Sequence, residues 1–362
     1  VKLIADYVAN GSQVLYLLPE IALTAQLIRR LQEYFGGHIS IYHSKFNDQE
    51  RVELWNKVRS GETRIVLGAR SALFLPFQQL ELIVVDEEHD PSYKQQDPAP
   101  RYNARDAAIF YAHLRGARVV LGSATPSIES YFNAKQAKYG LVHLPERFGG
   151  IELPKIELVN THGMNTRDGK IMLSEQLKQA VDETVQGGRQ VILFQNRRGY
   201  NPYLICGSCG FIPQCSDCDV SLTMHKFSKK LHCHYCGKTY PVLIACPACG
   251  VQNWLEKNFG TEKVEEYLEN IFSEYKIARM DVDSVRGKNA HDNLIRQFEK
   301  QQIDILIGTQ MVVKGLDFEH VDLVGIIDAD GLLGFADFRV NERAFQLMEQ
   351  VSGRAGRKHR QG

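Results

Sequence analysis

A chain of 362 residues exceeds one ordinary hydrophobic core, and at roughly 100–200 residues per domain it divides into two or three units. Hydrophobic residues make up 44% and charged residues 24%, which excludes a disordered or membrane-embedded protein, and the longest apolar runs are far short of the ~20 residues that span a bilayer. Forty-three basic residues balance 43 acidic ones, so no global field draws nucleic acid and any such affinity must come from local patches.

From the N-terminus, apolar strands alternate with amphipathic helices. Strands are expected at Val14–Leu18, His38–Tyr42, Arg64–Leu67, Leu82–Val85 and Val119–Leu121, with helices at Leu23–Phe35, Gln49–Arg59 and Ala104–Leu114. This alternation predicts an α/β lobe with a doubly wound parallel sheet over residues 1–145. Pro, Gly, Asn and Arg with weak periodicity then mark residues 146–170 as a connection. A second lobe is expected over 171–362. Its strands are Val191–Phe194, Ile277–Met280, Ile303–Ile307 and Val321–Ile327, and its helices lie near Glu262–Ile271, Asp292–Lys300 and Glu342–Glu349. No internal repeat or low-complexity tract stands out.

All eight cysteines fall within 44 residues of the second lobe: Cys206, Cys209, Cys215, Cys218, Cys233, Cys236, Cys246 and Cys249. They form four C-x-x-C pairs, the spacing that turns two thiolates toward one tetrahedral ion, so two four-cysteine zinc sites are expected in an insertion over 202–253. A disulfide framework suits small secreted chains, and Val1 opens no signal peptide, so a reducing cytoplasm is the expected location. Sequential, interleaved and nested pairings are all conceivable. The 14 residues between Cys218 and Cys233, with Val220, Leu222 and Met224 alternating like a hairpin strand, favour the nested one. It joins Cys215, Cys218, Cys233 and Cys236 in an inner site, and Cys206, Cys209, Cys246 and Cys249 in an outer one. His232 and His234 are spare ligands at best.

The strand at Leu82–Val85 runs into Asp86-Glu87-Glu88-His89. Acids at the exit of a buried strand form a Walker B arrangement, in which Asp86 can hold Mg2+ through water and Glu87 can deprotonate the water that attacks a γ-phosphate. The competing reading is an acidic turn capping a strand. Gly122-Ser123-Ala124-Thr125-Pro126 follows another strand, with Pro126 placed as a first helical residue. Gly308-Thr309-Gln310 and Lys314-Gly315-Leu316-Asp317 follow the strand ending at Ile307, and Gln350-Val351-Ser352-Gly353-Arg354-Ala355-Gly356-Arg357 closes the series. Arg354 and Arg357, three apart on a helical turn, share a face suited to a phosphoryl group; alone, they read as a solvated basic helix end. In the segment 93–105, Tyr93 and Tyr102 offer stacking faces and Lys94, Arg101 and Arg105 offer phosphate contacts, against the reading of a Pro-rich surface loop.

In this order and on two tandem sheets, these motifs resemble the signature of superfamily 2 helicases. The cysteine insertion between second-lobe motifs narrows the resemblance to the replication-restart branch. Leu18–Thr24, Gly68–Phe74, Asn196–Tyr200 and Gly260–Glu262 are further stretches of that kind. The resemblance implies two RecA-like lobes and an ATP-dependent 3′–5′ DNA helicase that recognises stalled or collapsed forks and initiates primosome assembly in the bacterial cytoplasm, near the nucleoid. It implies ATP with Mg2+ as cofactor beside two Zn2+, with Glu88, His89, Gly315, Asp317 and Gln350 at the nucleotide. Arg70 joins Tyr93, Lys94, Arg101, Tyr102 and Arg105 as DNA contacts, and primosome proteins and single-strand-binding protein are implied partners, with no membrane.

The chain departs from that pattern in lacking G-x-x-x-x-G-K-[ST]. Its only Gly-Lys-Thr, Gly237-Lys238-Thr239, has His232 where the earlier glycine belongs and lies among the cysteines. The sequence therefore reads as a fragment missing the phosphate loop and the flanking N- and C-terminal regions, one that hydrolyses ATP poorly. A non-catalytic zinc-dependent DNA or primosome scaffold is the alternative.

Overall fold

A computed structural model describes the chain except residues 20–24, 43–45, 147–149, 151, 162–172, 196–202, 219, 226–229, 234–235, 258–260, 282–289, 310–311, 313–315, 317, 334–336 and 357–362. It separates into two compact units, the first over Val1–His143 with Lys314–Leu316 and the second over Leu144–Val313 and Asp317–Gly362.

In the first unit, β1 (Gln13–Leu17), β2 (Ile39–Tyr42), β3 (Ile65–Gly68), β4 (Leu80–Asp86) and β5 (Arg118–Gly122) form one sheet in the order β2-β3-β1-β4-β5, every pair parallel. Period-two alternation sends neighbouring side chains to opposite faces. Leu15, Leu17, Val66, Ile83 and Val85 enter one core, packed against α3 (Asp48–Ser60) and α4 (Ala104–Arg115) through Leu54, Val58, Ala108 and Ala112. Val14, Ile65, Leu67 and Leu82 enter the other, against Ile4 of α1 (Lys2–Ala9) and Leu31 of α2 (Ala25–Phe35). Helices on both faces of a parallel sheet are what near-continuous apolar strands require. α3 starts on a reciprocal capping box between Asn47 and Glu50, and α3 and α4 end on glycines Gly61 and Gly116 in the left-handed region. Pro126 is not a first helical residue: α5 (Ile128–Lys135) begins after Ser127, whose hydroxyl caps it by accepting from Ser130 N–H.

Close approach limits the end of β3. A Cβ at Gly68 would lie 2.4 Å from Ala72 Cβ and 3.1 Å from Tyr42 O. Gly68→Ala is therefore expected to cost about 2 kcal/mol, checked by the denaturant midpoint of the first unit.

The second unit holds a parallel sheet ordered β12-β13-β6-β14, from β6 (Gln190–Gln195), β12 (Ile277–Met280), β13 (Ile305–Gly308) and β14 (Val321–Ile327). Helices α6 (Glu175–Gln186) and α7 (Thr261–Ile271) pack on it through Val181, Val264 and Leu268, and α8 (Ala290–Glu299) buries Ile295 and Phe298. Between β6 and α7 runs an antiparallel sheet, β10-β9-β8-β7-β11, made of β7 (Tyr203–Cys206), β8 (Thr223–His225), β9 (Lys230–His232), β10 (Thr239–Pro241) and β11 (Trp254–Lys257).

A short internal repeat does exist, and the structure shows what it does. Gly11-Ser12-Gln13-Val14 and Gly188-Arg189-Gln190-Val191 open β1 and β6, each behind a glycine in the left-handed region, at φ 82° and 73°. Both glutamines are buried. Gln13 Nε2 donates to Val58 O and Thr63 O at 2.8 and 3.0 Å; Gln190 Nε2 donates to Phe298 O and Ile303 O at 2.8 and 2.7 Å. Each satisfies the carbonyls of the helix-to-strand turn, α3–β3 in one unit and α8–β13 in the other. The same helix–strand unit was thus built twice, and the two strands that close it, β4 and β14, both lead into an acid of positive φ, Glu87 at 48° and Asp328 at 57°.

Candidate active site and metal centres

β4 delivers the acidic motif at the carboxyl end of the first sheet, beside β1, where a doubly wound sheet places its crevice. Asp86 is held from three sides: its Oδ2 accepts the Tyr16 hydroxyl at 2.8 Å, its Oδ1 accepts Glu87 N–H at 3.0 Å, and its carbonyl accepts the Tyr93 hydroxyl at 2.6 Å. Burial first, then the Asp86 carboxylate, pushes both phenols up, so they stay protonated donors. Glu87 turns the chain with φ 48°, a conformation that costs a residue with a Cβ about 1–2 kcal/mol. The turn is closed by Glu88 N–H to Gly122 O at 3.1 Å and Asp90 N–H to Glu87 O at 2.8 Å, which ties the exits of β4 and β5 together. His89 Nδ1 lies 2.8 Å from Ser123 Oγ and 3.7 Å from Glu87 Oε2, linking the acidic motif to the Gly122–Pro126 turn. Tyr16, the clamp on Asp86, was not read from the sequence: in an apolar strand its hydroxyl is silent.

Three expected site residues have other partners. Glu88, expected at the nucleotide, is 2% exposed. Its carboxylate accepts from Ser127 N–H at 2.6 Å, Ser130 Oγ at 2.8 Å, Arg105 at 3.0 Å and Ser127 Oγ at 3.1 Å, which uses its lone pairs inside the fold. Arg105, expected on DNA phosphate, is committed to Glu88, Asp106 and the Ser127 hydroxyl with a side chain only 12% exposed. Tyr93, expected as a stacking face, is 1% exposed and donates to Asp86 O and Leu17 O. These residues brace the segment that follows the acids rather than offer it to a ligand. Between them, Gln95 N–H donates to Tyr102 O at 2.9 Å, Lys94 Nζ donates to Arg101 O, and Arg70 donates to Ser92 O and Lys94 O at 3.2 Å each. Tyr102 keeps a half-buried ring edge-on to the exposed Phe74, 5.1 Å between centroids. Arg101 is exposed at the loop's far side.

In the second unit Gln350 and Arg354 lie at and just beyond the end of the helix Val340–Ser352, both half-buried. Gly315, Asp317 and Arg357 lie outside the described residues, as do Asn196–Tyr200 and most of Leu18–Thr24. Sequence reasoning missed one buried charge cluster here. Asp281, just past β12 and fully buried, pairs with Arg279 at 3.1 Å and accepts the Thr261 hydroxyl that begins α7; Arg279 also meets Glu265 at 3.1 Å. An acid directly after an apolar strand was its available signal.

The cysteines form two groups, Cys206 with Cys209, Cys246 and Cys249, and Cys215 with Cys218, Cys233 and Cys236, each with Sγ atoms within 4.8 Å of one another. Separations of 3.5, 3.6 and 3.8 Å between Cys209 and Cys246, Cys206 and Cys249, and Cys215 and Cys236 rule out disulfides and match the ~3.8 Å edge of a tetrahedron with 2.3 Å zinc–sulfur bonds. Three knuckles close identically: the glycine after the second cysteine, Gly210, Gly237 or Gly250, sits at φ 74–79° and returns its N–H to the carbonyl of the first cysteine at 2.8–2.9 Å. Hydrogen bonds polarise the thiols unequally. The Tyr240 hydroxyl, then the Asp217 N–H, draws Cys215 down to about 6, while desolvation and the adjoining Cys236 and Cys215 push Cys218 up to about 12. Burial opposes charge on Cys206, but N–H groups of Ser208 and Cys209 bring it to about 6. Four thiolates in this space repel one another, and a dication among them removes that penalty. Both clusters therefore fit zinc.

Residues 2–133 match the DEAD/DEAH box helicase family, 241–359 the helicase conserved C-terminal domain, and 215–241 the PriA DNA helicase Cys-rich region domain. The replication restart protein PriA of Bacillus subtilis is 42% identical over 359 residues, 99% of this chain and 44% of that protein. That of Rickettsia conorii is 44% identical over 356 residues, 98% of this chain and 55% of that protein. The chain thus spans about half the length of the curated relatives it matches. Among solved structures, RecG bound to a three-way DNA junction superposes with TM-score 0.50 at 18% identity, covering 98% of this chain and 36% of that one. Mycobacterium smegmatis helicase Lhr bound to ssDNA and AMP-PNP gives 0.51 at 16%, covering 97% and 39%. These two share the fold: paired RecA-like lobes, here with the cysteine-rich region set into the second. With two helicase-family matches and the cysteine-rich region in this arrangement, the chain has a helicase fold and is similar over nearly its whole length to replication restart protein PriA.

Proposed function

We propose that this chain is the motor region of an ATP-dependent DNA helicase that travels 3′ to 5′, recognises stalled or collapsed forks and initiates primosome assembly, acting in the cytoplasm with primosome proteins and single-strand-binding protein as partners. The observation that carries the reading is the acidic motif at the exit of β4, with Asp86 fixed by Tyr16 and Glu87 standing beside His89 and Ser123. Asp86, with a lone pair on each oxygen beyond those given to Tyr16 and Glu87 N–H, would hold Mg2+ of bound ATP through water; the ion's part is to neutralise phosphate charge. Glu87 takes the proton from the attacking water, and His89 relays the state of that site to Ser123. Gly315, Asp317, Gln350, Arg354 and Arg357 are assigned to the nucleotide, the two arginines to the transferred phosphoryl group, on motif order alone. DNA contact falls to Arg70, Lys94, Arg101 and Tyr102. We place the first lobe at 1–145, the connection at 146–170 and the second lobe at 171–362, with the zinc insertion at 202–253.

In the full-length protein, Glu87→Gln is expected to lower DNA-stimulated ATP turnover by about a hundredfold while DNA affinity stays within a factor of two, since the amide keeps the shape and loses the base. ATPase and fluorescence-anisotropy titrations decide it. Full turnover in the variant would remove Glu87 as the base, and no DNA-stimulated turnover in either protein would favour the scaffold alternative.

A further inference from the structure

The two four-cysteine clusters differ in what stands behind the sulfurs. In the inner cluster the Tyr240 hydroxyl lies 3.2 Å from Cys215 Sγ. The same oxygen accepts Ser216 N–H at 3.1 Å, which occupies one lone pair and leaves the hydroxyl hydrogen to be directed elsewhere. Two acceptors are in range, Cys215 Sγ and Ser216 Oγ at 3.1 Å. Ser216 Oγ already receives Lys238 Nζ at 3.3 Å and gives its own hydrogen to Asp217 at 2.8 Å, and a thiolate is the stronger acceptor of the pair. The ring is held by β10 pairing with β9 and by packing against the cluster of Leu204, Val220, Leu222 and Leu231. In the outer cluster, the hydrogen bonds to Cys206 come from the backbone N–H groups of its own knuckle and from the other cysteines.

From this geometry we infer that Tyr240 is a positioning residue of the inner metal centre, its hydroxyl donating to the Cys215 thiolate, so that the inner ion is the more tightly held of the two. A hydrogen bond to a metal-bound ligand fixes the ligand's orientation, and loss of such a partner weakens metal affinity about 10–100-fold. This holds whatever the protein does with DNA. The outer ion, with Cys209 and Cys249 both exposed where the inner cluster exposes Cys236 alone, leaves first.

The zinc-loaded protein, challenged with excess chelator and followed by a colorimetric zinc indicator, is expected to release its ions in two phases. Tyr240→Phe keeps the ring and removes the hydroxyl; it should accelerate the slow phase about tenfold and leave the fast phase alone. Cobalt substitution gives a second readout: with the hydrogen bond gone, the sulfur-to-cobalt charge-transfer band moves to lower energy. Lys238→Met, which removes the ammonium and its Asp217 pair but not the hydroxyl, should change neither. Unchanged slow release and an unmoved band in Tyr240→Phe would overturn the inference. So would Lys238→Met matching Tyr240→Phe, because the effect would then belong to the knuckle's stitching and not to the hydroxyl.

Discussion

Removing zinc is expected to unfold residues 203–257 while both parallel sheets keep their protection. The inserted sheet has almost no core of its own. Its buried apolar cluster consists of Leu204, Val220, Leu222 and Leu231 together with two of the ligands, Cys215 and Cys233. Five strands of three or four residues, joined by knuckles closed by one or two backbone hydrogen bonds each, do not hold together on four buried aliphatic side chains and the half-buried Met224, Tyr240, Val242 and Trp254 around them. The metal supplies what the core lacks: structural zinc contributes roughly 10–16 kcal/mol of apparent binding free energy, and in a module of this kind that is folding free energy. The parallel sheets, in contrast, are packed by helices through clusters that contain no cysteine, on both faces in the first unit. Elemental analysis should find two zinc per chain. After chelation, amide exchange across β7–β11 should rise to near the unstructured rate, with β4 and β13 unaffected. Persistence of exchange protection at Leu231 in the metal-free protein would show that the module folds without zinc.

The parallel sheets and the metal ligands were legible because their signals are one-dimensional. Apolar runs such as Ile83–Val85 or Ile305–Ile307 are buried wherever they pack, and C-x-x-C spacing is set by the reach of two thiolates to one ion. Composition could not tell where a side chain of the segment 93–105 points. A loop rich in Tyr, Lys, Arg and Pro suggests a nucleic-acid face, yet Tyr93 and Arg105, its two ends, turn inward because the buried carbonyl of Asp86 and carboxylate of Glu88 need donors. The inward turn of Glu88 is hidden for the same reason: three consecutive acidic or titratable residues after a strand look alike in sequence, and the left-handed turn at Glu87 separates their directions. The helix α6 escaped notice although Ser174 and the stripe of Leu177, Val181 and Val185 announce it, and the Gly-x-Gln-Val repeat escaped because four residues carry little weight until both glutamines are seen capping the same turn.

Glu88→Ala is expected to destabilise the first unit by about 3–5 kcal/mol, a larger loss than any other single change in its core network. The carboxylate is the shared acceptor for four donors on two helices: Arg105 opens α4, and Ser127 and Ser130 open α5. Removing it leaves Arg105 a buried cation whose other anionic partner, Asp106, is largely exposed, and it strips the Ser127 N–H of its acceptor at the start of α5. Glu88→Gln, which keeps the shape but can accept at one oxygen only, should cost about half as much. Arg105→Met in the Glu88→Gln background should then restore part of the loss, because removing both partners avoids a stranded charge; the double-mutant cycle should return a coupling of about 1–3 kcal/mol. Since Arg105 closes the segment that Tyr93 opens, amide exchange across residues 94–104 should rise in Glu88→Ala even where the parallel sheet stays protected. A denaturant midpoint for Glu88→Ala within 1 kcal/mol of the parent would mean that water replaces the four bonds at little cost, and that the segment is held by Tyr93 and its hairpin contacts alone.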